Sequence, residues 1–454
     1  MVLFAAFGEN NVLMLVLIYS DIFISNLHLG VLLMYDIIII GAGISGASFA
    51  HQIGEHGKTL LIEANEDIDI RTNVFPEHNR EYLNEISMEN EEIFPCDHIK
   101  TRYFHKEIEG GINASEFGKP LGKIVYTERL LNEFIKQFED EGGVAKFNER
   151  VKKVQKKSDK VDIYTDKGKT YSGKLLILAT GSRGLELQKS LGFETPDSYM
   201  GIYTHLYGPE SRINQNFDFD YMFHLNPNIG KNGPFFFNVG KDRVLTGFLG
   251  NPGDSEVQCI DKLDRILHNY KYIQRNIEGL EWDKSEFITG EISKHPISKF
   301  TQDRVMVLGE AAGLVTAFFY EGLFSGLVSA NLAAKTIKPL LSNNSKFTNN
   351  ELKKYQQDVH RILLEKYYKN GEGFEHIFFN SSSSQINKMW KTYIEFVNES
   401  KRLRRNIWEA HRAPPEEYDI EKDKWAGRQL FNKLSFSDKI SLGSKFLSAL
   451  MKIY

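Results

Sequence analysis

YDIIIIGAGISGASFAHQIGEHGKTLLIEAN, residues 35–65, reads as strand, glycine turn, helix and strand in direct succession. Residues 37–40 are an unbroken isoleucine run, the pattern of a strand buried on both faces of a parallel sheet. The run ends in Gly41-Ala42-Gly43-Ile44-Ser45-Gly46. Glycines at this spacing serve a tight turn, close approach of backbone to a pyrophosphate, and close packing of helix on strand. A diphosphate at such a turn rests on the helix N-terminus, where unpaired amides and the helix dipole favour negative charge. Residues 58–62 supply a second strand that closes on Glu63, roughly twenty residues past the glycines, where a carboxylate accepts hydrogen bonds from a ribose. Glu63 therefore predicts an adenosine ribose without a 2′-phosphate. The plain alternative is a helix packed tightly on a strand with no ligand.

At 454 residues the chain can bury a large core and hold two or three structural units. A net charge of −4 and a pI of 6.4 give no footprint for nucleic acid. Cys96 and Cys259 form no CxxC pair, and the 13 histidines show no metal-ligand spacing, so no metal is expected. A reducing, cytoplasmic setting fits. The missing CxxC argues against a disulfide reductase, although that class shares the opening glycine pattern.

Residues 12–34 are strongly apolar and long enough to cross a bilayer. An anchor, a secretory signal and an upstream start-site artefact compete there, and the expectation is that Met34 is the true initiator. Beyond Glu63 the pattern is irregular until residues 127–140, where Leu130, Leu131, Phe134, Ile135 and Phe138 share one helical face. Residues 151–165 and 169–179 read as two strands, the second ending in Ala179-Thr180-Gly181. Residues 191–293 are strand-rich and aromatic, and alternation places Tyr221, Phe223 and Leu225 on one face. That face is either plain core or the wall of an apolar pocket. Residues 305–308 form a further strand, followed by Gly309-Glu310-Ala311-Ala312-Gly313 and a small-residue helix from about Gly322. Residues 351–368 and 385–412 read as helices, and Pro414-Pro415 breaks the pattern. The expected fold class is α/β: a Rossmann-type nucleotide domain (34–70, 119–190 and 294–340), an inserted antiparallel-sheet substrate domain (71–118 and 191–293), and a helical C-terminal region (341–454), after an apolar extension (1–33).

With the glycine turn, Ala179-Thr180-Gly181 and the 309–313 turn in this order, the chain resembles flavoproteins of the aromatic-hydroxylase superfamily, and within it the geranylgeranyl reductase family. The resemblance implies FAD, with Glu310 accepting hydrogen bonds from its ribityl chain and the helix after Gly322 aimed at the flavin ring. Tyr221, Phe223, Pro227 and Asn238-Val239-Gly240 loosely match the family's middle-domain pattern. Ala317 replaces the family's proline, and Phe318, Phe319 and Tyr320 replace small residues, so a narrower pocket beside the flavin is expected.

The implied reaction is reduction of a C=C bond in a large apolar, prenyl-type substrate by hydride from reduced flavin. Only one dinucleotide turn is present, so the electron donor, reduced nicotinamide or ferredoxin, must bind transiently. Tyr203, His205, Tyr221 and His224 are the candidate proton donors. A monooxygenase acting on an aromatic or isoprenoid compound is the second reading, although such hydroxylases typically carry histidine in place of Gly313. A binding protein that retains FAD structurally is the third. Residues 436–454 place Phe436, Ile440, Phe446, Leu447 and Leu450 toward one side with interspersed lysines, and Lys401-Arg402 and Arg404-Arg405 add basic charge. A peripheral membrane contact is expected from them.

Overall fold

The computed structural model describes residues 34–230, 234–316, 320–343 and 345–453. The expectations placed on residues 1–33 and on Ala317, Phe318 and Phe319 lie outside the described residues.

The isoleucine run is the central strand Met34–Ile40, paired in parallel with Thr59–Ile62 on one side and Thr170–Leu178 on the other. Val144–Lys146 extends the sheet in parallel past Thr59–Ile62, and Val305–Val307 does so past Thr170–Leu178. Ile37, Ile38, Ile39, Leu60, Leu61, Leu176 and Ile177 are wholly buried, which is why these strands do not alternate. The expected strand over 151–165 is instead two, Val151–Lys156 and Val161–Thr165, which add an antiparallel hairpin to Thr170–Leu178. The polar run between them turns back, with Lys157 N donating to Lys160 O at 2.8 Å. Asp162 then binds both lysines, at 2.6 and 3.0 Å.

On one side of this sheet the helix Ile44–Ile53 packs against helices Thr127–Asp140 and Gly322–Ser342. The second crossing is close because Gly326 has no side chain: a Cβ there would lie 2.6 Å from the Ile44 side chain.

A second sheet of seven strands runs in the order Ile288–Ser293, Ser198–Tyr207, Arg243–Leu249, Phe235–Val239, Tyr221–His224, Lys100–His105, Ile108–Asn113. Every neighbouring pair is antiparallel except Tyr221–His224 with Lys100–His105. A small third sheet holds Thr72–Pro76, Gly122–Tyr126 and Cys96–His98. One face of the seven-stranded sheet packs Met222, Phe235 and Phe237 against Leu263 and Ile266 of helix Glu256–Asn269. The other packs Tyr103, Phe223 and Leu225 against Ile377, Trp390 and Ile394 from the C-terminal helices.

In that region the helix Asn349–Val359 continues through a π-helical segment, His360–Tyr368, into Lys369–Phe379. Ser383–Glu399, Lys401–Ala410, Ile420–Lys433 and Phe436–Ile453 follow. Pro415 opens only a short 3-10 turn, and the helix beyond it, Ile420–Lys433, is one the residue pattern does not announce. Its mixed charged and aromatic surface lacks a clean apolar stripe.

Arg243 ties the seven-stranded sheet to the small third sheet and to helix Thr127–Asp140. Its guanidinium donates to Glu128 Oε1 at 2.6 Å and to Thr72 Oγ1 at 3.0 Å, and lies 4.1 Å over the Tyr126 ring. Both charged side chains are almost fully enclosed, at 8% and 12% exposure. Removing one partner of a buried ion pair leaves the other uncompensated, at a cost of about 3–5 kcal/mol. Glu128→Ala should lower the unfolding free energy by about that amount in urea titrations. A midpoint unchanged from wild type would show that the pair does not clamp these elements.

Candidate active site

The three glycines of the turn do different things. Gly41 has φ +103°, and a Cβ there would meet Ala179 O at 2.3 Å. At Gly46 a Cβ would lie 1.9 Å from Gly41 O. Gly43 has an ordinary φ of −70° and no atom within 4 Å of where its Cβ would be. The protein itself therefore demands glycine at 41 and 46, but at 43 the only thing a side chain could obstruct is a ligand in the adjoining cleft. Gly43 also caps helix Ile44–Ile53 without a side-chain acceptor, leaving the leading amides for an anion.

Glu63 stands across the mouth of this turn. Its Oε2 accepts from Ala42 N at 2.8 Å and its Oε1 from Asn65 N at 2.9 Å. Further along, Glu310 Oε1 accepts from Ser293 N at 3.1 Å, and Ser293 Oγ donates to Glu310 O at 3.0 Å. Burial raises the Glu310 carboxyl above its usual range, and the nearby Arg71 and Arg183 act in the opposite direction. The Arg71 guanidinium lies 5.3 Å over the Tyr203 ring and 3.5 Å from Asp69.

These groups line one cleft of about 690 Å³. The glycine turn and Glu63, the charged Arg71 and Glu310, and the aromatic side chains of Tyr221, Phe223 and Phe236 all belong to its lining. Polar groups for a ribose and a diphosphate, a set of mixed charge and an aromatic wall, together in one cleft, fit FAD. FMN lacks the adenosine half that the glycine turn and Glu63 address.

Of the residues expected at the site, Gly41, Gly43, Ile44, Ser45, Glu63, Ala179, Thr180, Gly181, Glu310, Gly322, Tyr203 and Tyr221 line the cleft. Gly46, Gly309 and Gly313 do not; they let backbone pack, with Cβ positions 1.9 Å from Gly41 O, 1.9 Å from Ser45 Oγ and 2.2 Å from His295 O. His224 is a correction: strand alternation turns it away from Tyr221 and Phe223, to stack on Phe104 at 5.0 Å behind the sheet. His205 is another, set beyond the rim between the rings of Tyr203 and Tyr207, at 6.0 and 5.9 Å. Burial lowers both imidazoles to about 4, so both are neutral at pH 7. Cys96 and Cys259 are unpaired, and burial pushes their thiols up to about 12 and 11.

The residue pattern missed Arg71, Arg183 and Glu321. Arg71 follows an irregular acidic stretch with no periodicity to mark it, and Glu321 registers in sequence only as the residue before Gly322. In the fold Glu321 opens onto the cleft with its side chain exposed there, and the protein packed around the cleft raises its carboxyl to about 7. Thr316 holds it from both sides of its backbone: Glu321 N donates to Thr316 Oγ1 at 2.9 Å, and Thr316 N donates to Glu321 O at 3.1 Å. The preceding Tyr320 takes φ +56°, a left-handed conformation unusual for an aromatic residue.

A family profile described as "Pyridine nucleotide-disulphide oxidoreductase" matches residues 35–200. This is the fold of FAD-dependent oxidoreductases. A geranylgeranyl bacteriochlorophyll reductase-like protein from Thermoplasma acidophilum superposes with a TM-score of 0.71 at 16% identity, over 91% of this chain and 99% of that one. A halogenase PltM mutant in complex with FAD gives 0.63 at 12% identity, over 86% and 85%. The p-nitrophenol 4-monooxygenase PnpA from Pseudomonas putida gives 0.65 at 13% identity, over 84% and 97%. The search of curated proteins returns no match. Fold and cleft together are those of an FAD-dependent oxidoreductase, and the α/β class expected from the sequence is borne out. The disulfide chemistry in the profile's description has no cysteine pair here to perform it.

Gly43→Val should leave the melting temperature of the apoprotein unchanged while abolishing the flavin absorbance of the purified protein. Gly46→Ala should do the reverse in kind, destabilising the apoprotein by about 1–3 kcal/mol through overpacking. Glu310→Ala should weaken FAD by roughly 1.5–3 kcal/mol for each charge-assisted bond lost. Equal flavin retention by wild type and Glu310→Ala on dialysis would remove that role.

Proposed function

We propose that this FAD-dependent oxidoreductase reduces C=C bonds of a large apolar, prenyl-type substrate. The observation that carries this reading is the aromatic wall of Tyr221, Phe223 and Phe236, which lines the same cleft as the cofactor-binding residues. In this reading Gly43 and the helix behind it hold the pyrophosphate, Glu63 the ribose, and Glu310 with Arg71 the ribityl side. FAD, when bound, supplies the hydride. The chain's part is to align an apolar chain against the cofactor and to exclude water. Electrons come from a transient donor, reduced nicotinamide or ferredoxin.

A monooxygenase is the second reading, since PnpA shares the fold. Gly313 weighs against it. With φ +72° and His295 O at 2.2 Å from a Cβ, position 313 cannot take the histidine that such hydroxylases typically carry. Product mass separates the two: incubation of reduced enzyme with a polyprenyl substrate should give a gain of two hydrogens per double bond. A gain of one oxygen, dependent on O₂, would replace the first reading by the second.

We further propose that the protein works at a membrane surface, through a narrower patch than the residue pattern suggests. On helix Phe436–Ile453, Phe436, Ile440 and Leu447 are 81%, 68% and 60% exposed, and their spacing puts them on one face. Phe446, expected beside them, instead turns inward onto Phe431 at 4.7 Å. The basic cluster is partly neutralised, because Arg404 makes a two-pronged bond to Glu116 at 2.7 and 3.1 Å. No described helix is long and apolar enough to cross a membrane. The protein should float with anionic vesicles at low salt, and Phe436→Ser/Ile440→Ser/Leu447→Ser should not. Equal flotation of both would locate the contact elsewhere.

A further inference from the structure

Reduction of a C=C bond needs a proton as well as a hydride, and of the histidines offered for it His224 faces away from the cleft and His205 lies beyond its rim. Tyr221 does reach the cleft, but burial holds its phenol well above 10. We infer that Glu321 is the proton donor, an inference that rests on the reductase reading.

Its placement is specific. Glu321 lies where the aromatic wall meets the N-terminus of helix Gly322–Ser342, so its carboxyl borders the cleft that the cofactor-binding residues also line. The Thr316 clamp and the left-handed Tyr320 fix the backbone that presents it. Strained conformations of this kind persist where the surrounding structure holds them, and they cluster at active sites.

The surroundings raise the carboxyl's affinity for its proton. Tyr103 and Tyr221 face it from the seven-stranded sheet. On its own loop, the Tyr320 ring packs edge-on against Tyr199, whose hydroxyl donates to Glu375. Among the described residues no charged group shifts Glu321; the protein packed around the cleft acts alone, and takes it to about 7. Glu310, in the same cleft, accepts a backbone N–H and is opposed by two arginines. Two carboxyls in such different environments suit different tasks, one holding a ligand and the other donating a proton.

The step balances as follows. One alkene carbon receives a hydride from the reduced cofactor, and the other receives the proton of the Glu321 O–H bond. The π bond is consumed and two C–H bonds form. The carboxylate left behind regains its proton from water in the cleft, and reduced nicotinamide or ferredoxin restores the two electrons. A donor must hold its proton, so the rate should be full well below pH 7 and fall as pH rises through about 7.

The test uses FAD-loaded Glu321→Gln and Glu321→Asp. Infrared pH titration of the wild type should show a protonated carboxyl disappearing with a midpoint near 7, and Glu321→Gln should lack that band. Both variants should bind FAD and be reduced chemically like wild type. Reoxidation of the reduced enzyme by a polyprenyl substrate should slow by about 10²–10⁴-fold in Glu321→Gln, with loss of the pH dependence and partial recovery in Glu321→Asp. If wild type is reoxidised and Glu321→Gln keeps pace with it, Glu321 is not the donor and the reductase reading stands. If no polyprenyl substrate reoxidises wild type, the reductase reading fails and the inference with it.

Discussion

The structure depends on one close approach of backbone to backbone. Gly41 O occupies the space that a side chain at residue 46 would need, and Ser45 Oγ occupies the space a side chain at 309 would need. Three segments far apart in sequence, the glycine turn, the strand end at Ala179 and the 309–313 turn, can therefore meet at the head of one helix. Helix Gly322–Ser342 seats itself the same way, through Gly326 on Ile44. No large energy is gained at any single contact. What the glycines permit is a separation short enough for the buried isoleucine and leucine layers to pack without voids, and voids in such layers are costly.

That geometry explains which features were legible in the residues. The turn, Glu63 and the apolar strands are local patterns whose spacing carries their structure, and they appear where expected. The aromatic stretch was legible as strands, but whether Tyr221 and Phe223 formed core or pocket wall depended on what lay opposite. Both line the cleft, while Leu225 packs with Ile377 and Trp390. His224 shows the limit from the other side. One residue of strand parity separates a cleft position from a core position, and an aromatic run gives no sign of which parity is which.

Arg71 and Glu321 were illegible for a different reason. Each owes its environment to elements distant in sequence: Arg71 to Tyr203 and Glu310, Glu321 to Tyr103 and Tyr221. A carboxyl acquires an unusual proton affinity from the water it has lost, and desolvation leaves no trace in the order of residues.

The parallel pairing of Tyr221–His224 with Lys100–His105 bears on how the chain comes to be folded. His105 bonds Leu225 O across 120 positions, and the parallel strand Thr170–Leu178 lies between the two halves in sequence. Closing so long a loop costs entropy before the paired strands return it, which makes such contacts slow to form. During synthesis the edge at Lys100–His105 stands unpartnered while more than a hundred further residues emerge, with Arg102 and Glu109 as its nearest safeguards against pairing with another chain. The aromatic wall of the cleft thus forms well after the nucleotide turn has been made, and newly made chains pass through a state that has the turn but nothing yet to place beyond it.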